Sequence, residues 1–110
     1  MLRKGKKIKE TPIGLGEVHQ LLENLNGILI RVDHRKYGFS PKKGVISAKE
    51  AFDTLSSFSP YAYYKGTHRV YETNGQQKHF VYLEGSLIID REVHTPVIEK
   101  ATLEYTVNTT

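Results

Sequence analysis

The sequence predicts an α+β fold in which a mainly antiparallel sheet of about four to five strands is covered by two amphipathic helices. Three observations predict it: a strong hairpin signal at Asn74-Gly75, two segments with helical spacing of apolar residues, and several alternating segments. With 110 residues, of which 38% are hydrophobic, the chain is long enough for one domain. We expect this single domain over residues 13–110, after a flexible, disordered basic arm at 1–12.

The hairpin is the clearest structural signal in the chain. Asn74-Gly75 tolerates positive φ at both central positions of a type I′ turn, and β-branched and aromatic residues flank it. A two-residue turn pairs Thr73 with Gln76 and, further from the turn, His68 with Val81. This register places His68 diagonally from His79 on one face of the sheet.

The two histidines allow two interpretations. They could begin a metal or acid-base site, or they could lie on a half-exposed sheet face with no chemical role. The second interpretation is favoured because the sequence specifies no third ligand. We therefore expect no metal and no cofactor.

Both helices have amphipathic patterns. The first places Val18, Leu22 and Leu25 on one side, starts near Gly16 and stops at Gly27. The second opens with a capping box, Ser47 as N-cap and Glu50 at N3, and is expected to end near Phe58, before Pro60. The residues that this second helix should bury are Ala48, Ala51, Phe52 and Leu55.

The other strands are less sharply signalled. Residues 28–33 alternate as a half-buried strand, and Phe80 to Leu83 is apolar on both faces. Gly85 predicts a bulge or bend before residues 87–89. A last strand is expected over 103–107, while 97–101 is compatible with a helical turn.

The order helix, strand, helix, hairpin is also that of a winged-helix domain. In that variant the hairpin tip would be a wing that contacts the backbone of a nucleic acid. Pro60 interrupts the segment in which the recognition helix would lie, so the general α+β arrangement is preferred.

Basic charge is concentrated in two segments. Residues 1–10 carry five cations and a single carboxylate, and so do residues 31–43, so that each segment has a net charge of +4. The whole chain also has a net charge of +4, which leaves the remainder acidic. Segregated cations are typical of polyanion-binding surfaces, although a solubilising tail and an ordinary basic loop would have the same composition.

The preferred functional interpretation is a small nucleic-acid-binding (DNA-binding or RNA-binding) or regulatory protein. Cations of the arm and of a basic loop at 34–44 would contact phosphates, two aromatic rings in that loop would stack on bases, and the polar hairpin tip would reach a groove. The predicted contact residues are Arg3, Lys4, Lys6, Lys7, Arg35, Lys36, Tyr37, Phe39, Lys42, Lys43, Gln76, Gln77 and Lys78.

Two alternatives use other features. One is a protein-binding inhibitor or subunit encoded by a mobile element, which docks through a tyrosine-rich region formed by Tyr61, Tyr63, Tyr64, Tyr71 and Tyr82. A homodimer through an open sheet edge is a related prediction. The other is a small histidine-dependent nuclease, in which Asp33-His34-Arg35 lies at a strand end beside cations, and His68 and His79 offer a second acid-base pair. The absence of any catalytic motif favours a protein that is not an enzyme.

The sequence also predicts the environment of the chain. It has no cysteine, no apolar run of the roughly 20 residues that a membrane span needs, and no apolar segment after Met1-Leu2-Arg3-Lys4. We therefore expect a cytoplasmic protein that does not insert into a membrane.

Overall fold

In the part of the chain that the structure describes, six strands form one antiparallel sheet, and two helices cover one of its faces. The structure is a computed structural model that describes residues 5–25, 27–56, 63–89 and 92–108. The elements are β1 (Lys6–Pro12), α1 (Leu15–Glu23), β2 (Leu29–Lys36), β3 (Lys42–Ser47), α2 (Ala48–Leu55), β4 (Tyr63–Thr73), β5 (Gln76–Ile89) and β6 (Glu92–Asn108). The strand order is β1-β4-β5-β6-β2-β3. The predicted α+β class is confirmed, with six strands instead of four or five.

The hydrophobic core lies between the helices and one face of the sheet. Val32, Val81 and Leu103 are cross-strand partners or neighbours and therefore point to the same side. Val18 and Leu55 from the two helices complete this cluster and are fully buried. We call this side the helix face and the opposite side the open face.

The hairpin forms as predicted. Asn74 and Gly75 have φ angles of 49° and 77°, and β4 pairs with β5 from Thr73↔Gln76 through His68↔Val81. The register between β5 and β6 shifts after Gly85, which confirms the predicted irregularity. Residues 97–101 belong to β6 and form no helical turn. Residues 99–101 pair with β5 on one side and with β2 on the other.

The helices lie where the sequence predicts them, with shifted ends. Helix α1 begins at Leu15, one residue before the expected start, and its C-cap is Asn24. The Ser47 hydroxyl accepts a hydrogen bond of 3.2 Å from the Glu50 amide, so the predicted N-cap of α2 is confirmed. Helix α2 ends at Leu55, and the predicted end near Phe58 falls outside the described residues.

The amino-terminal segment differs from its prediction. Residues 6–12, expected to be flexible, form β1, which pairs with β4 from Lys6↔Glu72 to Pro12↔Thr67. Composition misses this strand because its side chains are exposed, whereas its backbone satisfies the unpaired groups of the β4 edge. A 2.6 Å ion pair between Arg69 Nε and Glu10 Oε1 also joins the two strands.

The basic segment 34–44 is a hairpin and not a loop. Strand β2 continues to Lys36 because it pairs with β6 as far as Lys36↔Glu99, and β3 then runs back from Lys42. Only residues 37–41 form the connection, in which Gly38 has a φ of +83°. We call β2, β3 and this connection the basic hairpin.

The winged-helix variant is not confirmed. Strand β6 lies between the β4–β5 pair and the basic hairpin, which gives a continuous sheet in place of a three-helix domain with a wing. Neither helix of the described chain has the length and apolar character needed to cross a membrane.

Candidate functional site

Two aromatic rings project from the tip of the basic hairpin. Tyr37 is 79% exposed and Phe39 is 69% exposed, so two large rings lie close together at the surface of the same short connection. The Lys36 ammonium lies 5.6 Å from the centroid of the Phe39 ring, within the range of a cation–π contact. The tip therefore offers ring faces beside positive charge.

Cations lie on both faces of this hairpin. On the open face, Asp33 accepts a 3.2 Å hydrogen bond from Arg35 Nε and lies 3.7 Å from Lys43 Nζ, so one carboxylate is shared by two cations. On the helix face, Lys36 and Lys42 are ion-paired with no described residue. The hairpin thus keeps a positive field on both sides.

A pocket of about 350 Å³ opens between the hairpin and the last turn of α2. Its lining residues are His34, Lys36, Phe39, Ser40, Lys42, Asp53 and Thr54. The strand register brings together the lining residues of the hairpin side. His34 and Lys42 are direct partners across β2 and β3, and Lys36 follows two residues after His34 on the same face.

A histidine–glutamate pair lies beside this pocket. His34 Nε2 lies 2.5 Å from Glu99 Oε2, the Glu99 side chain is 0% exposed and that of His34 is 13% exposed. Glu99 continues the helix-face alternation of Ala101, Leu103 and Tyr105 in β6, where the pattern leads to an apolar residue. A buried carboxylate requires a polar partner, and His34 provides one.

The predicted pair of His68 and His79 also comes together, away from this pocket. His68 Nε2 lies 2.9 Å from His79 Nδ1, and the His79 ring stacks on Tyr105 with centroids 4.7 Å apart. Burial, together with the charges of His68 and Lys9, lowers the pKa of His79 to about 4. Burial and the charge of Lys9 lower the pKa of His68.

Burial also raises the pKa of Tyr105, whose hydroxyl is buried without a hydrogen-bond partner in the described part of the chain. Within that part, no group of three metal-ligating side chains lies together. The lowered pKa values of His68 and His79 and the raised pKa of Tyr105 favour the neutral form of all three side chains.

The structure groups only some of the predicted contact residues. Arg35, Lys36, Tyr37, Phe39, Lys42 and Lys43 all lie on the basic hairpin. Lys6 and Lys7 lie on β1, at the opposite edge of the sheet, five strand spacings or about 24 Å away. Arg3 and Lys4 fall outside the described residues.

The other hairpin tip is distant as well. Gln76 pairs with Asn108 at one end of β6, whereas Lys36 pairs with Glu99, about 30 Å away along that strand. Gln76, Gln77 and Lys78 consequently lie far from the tip of the basic hairpin, although Lys78 lines a separate pocket with Arg31 of β2 and Val45 of β3.

Sequence reasoning missed Asp53 and Thr54, which line the pocket, and Glu99, which contacts His34 beside it. Glu99 is a polar residue in a series of alternating apolar positions in β6. The sequence predicts the start of the last strand at residue 103, so residue 99 is not included in this alternation. Asp53 and Thr54 lie in α2, and their position in the sequence gives no sign that the end of α2 faces the basic hairpin.

The structure describes the side chains of two tyrosines of the tyrosine-rich region, Tyr71 and Tyr82. Tyr71 and Tyr82 are half-buried on the open face, where they flank Phe80 with ring centroids 5.5 and 6.4 Å away. The guanidinium of Arg69 lies 5.1 Å from the Tyr82 ring centroid. Tyr61 and the side chains of Tyr63 and Tyr64 fall outside the described residues.

Comparisons with protein-family models, with curated proteins and with solved structures gave no match.

Proposed function

We propose that the protein binds single-stranded nucleic acid through the basic hairpin. The observation that carries this proposal is the exposure of Tyr37 and Phe39, 79% and 69%, at the tip of a hairpin that holds five cations. Exposing two rings to water is unfavourable unless they meet a partner, and bases supply flat apolar faces for them.

The geometry favours single strands over duplexes. Stacking on a protein ring requires a base that is not already stacked within a duplex. Cations on both faces of the hairpin would contact phosphates on either side of the stacked bases, and release of counterions would make the affinity depend on salt. The expected footprint is a few nucleotides, which matches a single hairpin.

Fluorescence anisotropy tests the proposal with labelled single-stranded DNA and RNA of about 12 nucleotides, in the size range of single-strand sites, and with the matching duplexes. We expect binding to the single strands that weakens as salt rises. Tyr37→Ala combined with Phe39→Ala should lower the affinity at least about tenfold, since each stacked base contributes about 1–3 kcal/mol.

The matched control is Leu29→Ala. Leu29 is 68% exposed on the same strand β2, but it lies far from the hairpin tip. Its replacement should leave the affinity unchanged. Equal binding by the double aromatic variant and the native protein would contradict the proposal, and so would affinity that does not respond to salt.

A second candidate function, cleavage of RNA, is favoured by the contact between His34 and Glu99 beside a pocket lined by lysines. In this reaction the 2′-hydroxyl gives its proton to His34 and the 2′ oxygen forms a bond to phosphorus. The bond from phosphorus to the 5′ oxygen breaks, and that oxygen receives the proton from the imidazolium. Lys36 and Lys42 would stabilise the charge on the phosphoryl oxygens.

Incubation with end-labelled RNA tests this candidate. The expected products carry a 2′,3′-cyclic phosphate and a 5′-hydroxyl, the same strand with 2′-deoxyribose should stay intact, and His34→Ala should abolish cleavage while binding remains. Undiminished cleavage by the His34→Ala variant, or no cleavage by the native protein, would contradict this candidate function.

A further inference from the structure

We propose that the pocket between the basic hairpin and α2 binds a guanine nucleotide of the strand that the hairpin holds. This inference rests on the proposed function, because it specifies which base the same surface recognises. The ligand class follows from the charges that line the pocket.

Three charged side chains that line this pocket form no ion pair with a described residue. Lys36, Lys42 and Asp53 all line it, yet none of them forms an ion pair with any described residue. By contrast, Lys43, on the other face of the same hairpin, lies 3.7 Å from Asp33. Opposite charges around one cavity that do not meet each other fit a ligand that carries both an anionic group and hydrogen-bond donors.

The walls of the pocket fit an aromatic heterocycle. Its volume of about 350 Å³ falls within the range of small-molecule sites, and the Phe39 ring forms part of the lining. A base that enters the pocket would stack against Phe39, while its phosphate would lie between the two lysines.

The Asp53 carboxylate selects the base. Guanine presents two adjacent donors on its Watson–Crick edge, N1–H and the N2 amino group, and both can donate to one carboxylate. Adenine and cytosine place an unprotonated ring nitrogen beside their amino group, and that lone pair would face a carboxylate oxygen. Uracil offers one N–H between two carbonyl oxygens. Guanine is therefore the only common base that satisfies both oxygens of Asp53.

Isothermal titration calorimetry of the full chain with GMP, AMP, CMP and UMP measures this selectivity. We expect GMP to bind at least about tenfold more tightly than AMP, which corresponds to about 1.4 kcal/mol. Asp53→Asn should remove this preference, because the amide presents a donor where guanine also presents donors. Glu50→Gln, which removes a carboxylate from the same helix outside the pocket, should preserve it.

Tyr37→Ala separates this inference from the proposed function, since Tyr37 does not line the pocket. This variant should weaken binding of a guanine-containing oligonucleotide and leave GMP binding unchanged. Oligonucleotide binding with equal affinities for GMP and AMP, or with a preference that survives Asp53→Asn, would overturn the guanine site and leave the proposed function intact. GMP selectivity without oligonucleotide binding would support the pocket and overturn the proposed function. Absence of both kinds of binding would overturn both proposals.

Discussion

At the scale of single residues, the buried Glu99 occupies a position of β6 at which the strand alternation predicts an apolar residue. Glu99 continues an alternation of Ala101, Leu103 and Tyr105, and its carboxylate lies in the interior against His34. A polar residue at a core position costs stability unless its partner is well placed. The contact between Glu99 and His34 should therefore be strongly coupled energetically.

A double-mutant cycle with His34→Gln and Glu99→Gln measures this coupling. We expect a coupling free energy of about 1–3 kcal/mol in urea denaturation, because the pair is largely excluded from water. The control cycle uses Arg31 and Glu104, an exposed pair with an N–O distance of 3.7 Å, and should give less than about 1 kcal/mol. Equal coupling in the two cycles would contradict the importance of burial at the first pair.

The second prediction at this scale concerns His79 and pH. The pKa of His79 falls from 6.5 to about 4 in the folded protein, so the folded state binds fewer protons than the unfolded state between these pH values. Stability should therefore be complete above about pH 6.5 and decrease as the pH falls toward 4. Because His79 is only partly buried, the expected loss is about 1–2 kcal/mol after allowance for solvent screening.

Urea denaturation at pH 7 and at pH 4.5 tests this expectation, with His79→Gln as the comparison. The glutamine variant does not titrate at this position, and its stability should change less between the two pH values. An identical pH dependence in both proteins would show that other groups are responsible.

At the scale of elements, β1 depends on a close approach between the chain and β4 at Gly5, the residue that precedes the strand. Gly5 has a φ of +92°, and a Cβ atom there would lie 2.5 Å from the Glu72 carbonyl oxygen. Gly5→Ala should therefore release the start of β1 from β4 and reduce amide-exchange protection over residues 6–12. Gly38→Ala is the control: its φ of +83° is similar, but no atom lies within 4 Å, so β1 should keep its protection.

Helix α2 depends on its N-cap. Ser47→Ala removes the acceptor for the Glu50 amide and should lower the free energy of unfolding by about 1 kcal/mol. Ser56→Ala, at the other end of the helix, removes a hydroxyl that donates to the Asp53 carbonyl and should have a smaller effect. A loss of similar size in both variants would argue against a specific capping role, and thermal unfolding provides the measurement.

The sequence predicted well those elements whose start or turn is determined by one or two neighbouring residues. Asn74-Gly75 fixes the turn and hence the register of β4 and β5, and Ser47 marks the start of α2 without tertiary information. Strands β1 and β3 were missed because each is an edge strand with exposed side chains, so burial leaves no period in the sequence.

The candidate site could be predicted only in part for a related reason. The hairpin cations and aromatics are close together in the sequence. Asp53 reaches the pocket, and Glu99 reaches His34 beside it, only through long-range packing and strand pairing. No local pattern encodes the position of a helix end over a hairpin.

At the scale of the whole molecule, the two basic segments occupy opposite edges of the sheet. The charge of β1 is partly neutralised: Glu10 lies 2.9 Å from Lys7 Nζ and 2.6 Å from Arg69 Nε. Strand β1 is also about 24 Å from β3, beyond the Debye length of about 8 Å at physiological salt. The basic hairpin should therefore dominate binding to a polyanion.

Neutralising matched pairs of lysines tests this expectation. Lys42→Gln with Lys43→Gln should reduce the slope of log K against log salt by about 1.4 units for a single strand, at about 0.7 per phosphate contact. Lys6→Gln with Lys7→Gln changes the net charge equally and should alter the slope little. Equal effects of the two pairs would indicate a contact that extends around the sheet.

The position of β6 has a consequence for how the chain folds during synthesis. This strand joins the β4–β5 hairpin to the basic hairpin, although it is the last of the six to be translated. The β4–β5 hairpin and the basic hairpin are each local, but the two halves of the described sheet are joined only through β6, whose residues 99–104 pair with β2 on one side and with β5 on the other. Without β6 the facing edges of β2 and β5 are unpaired and their apolar residues lack the cover of Leu103, so a chain that is truncated within β6 should be prone to aggregate.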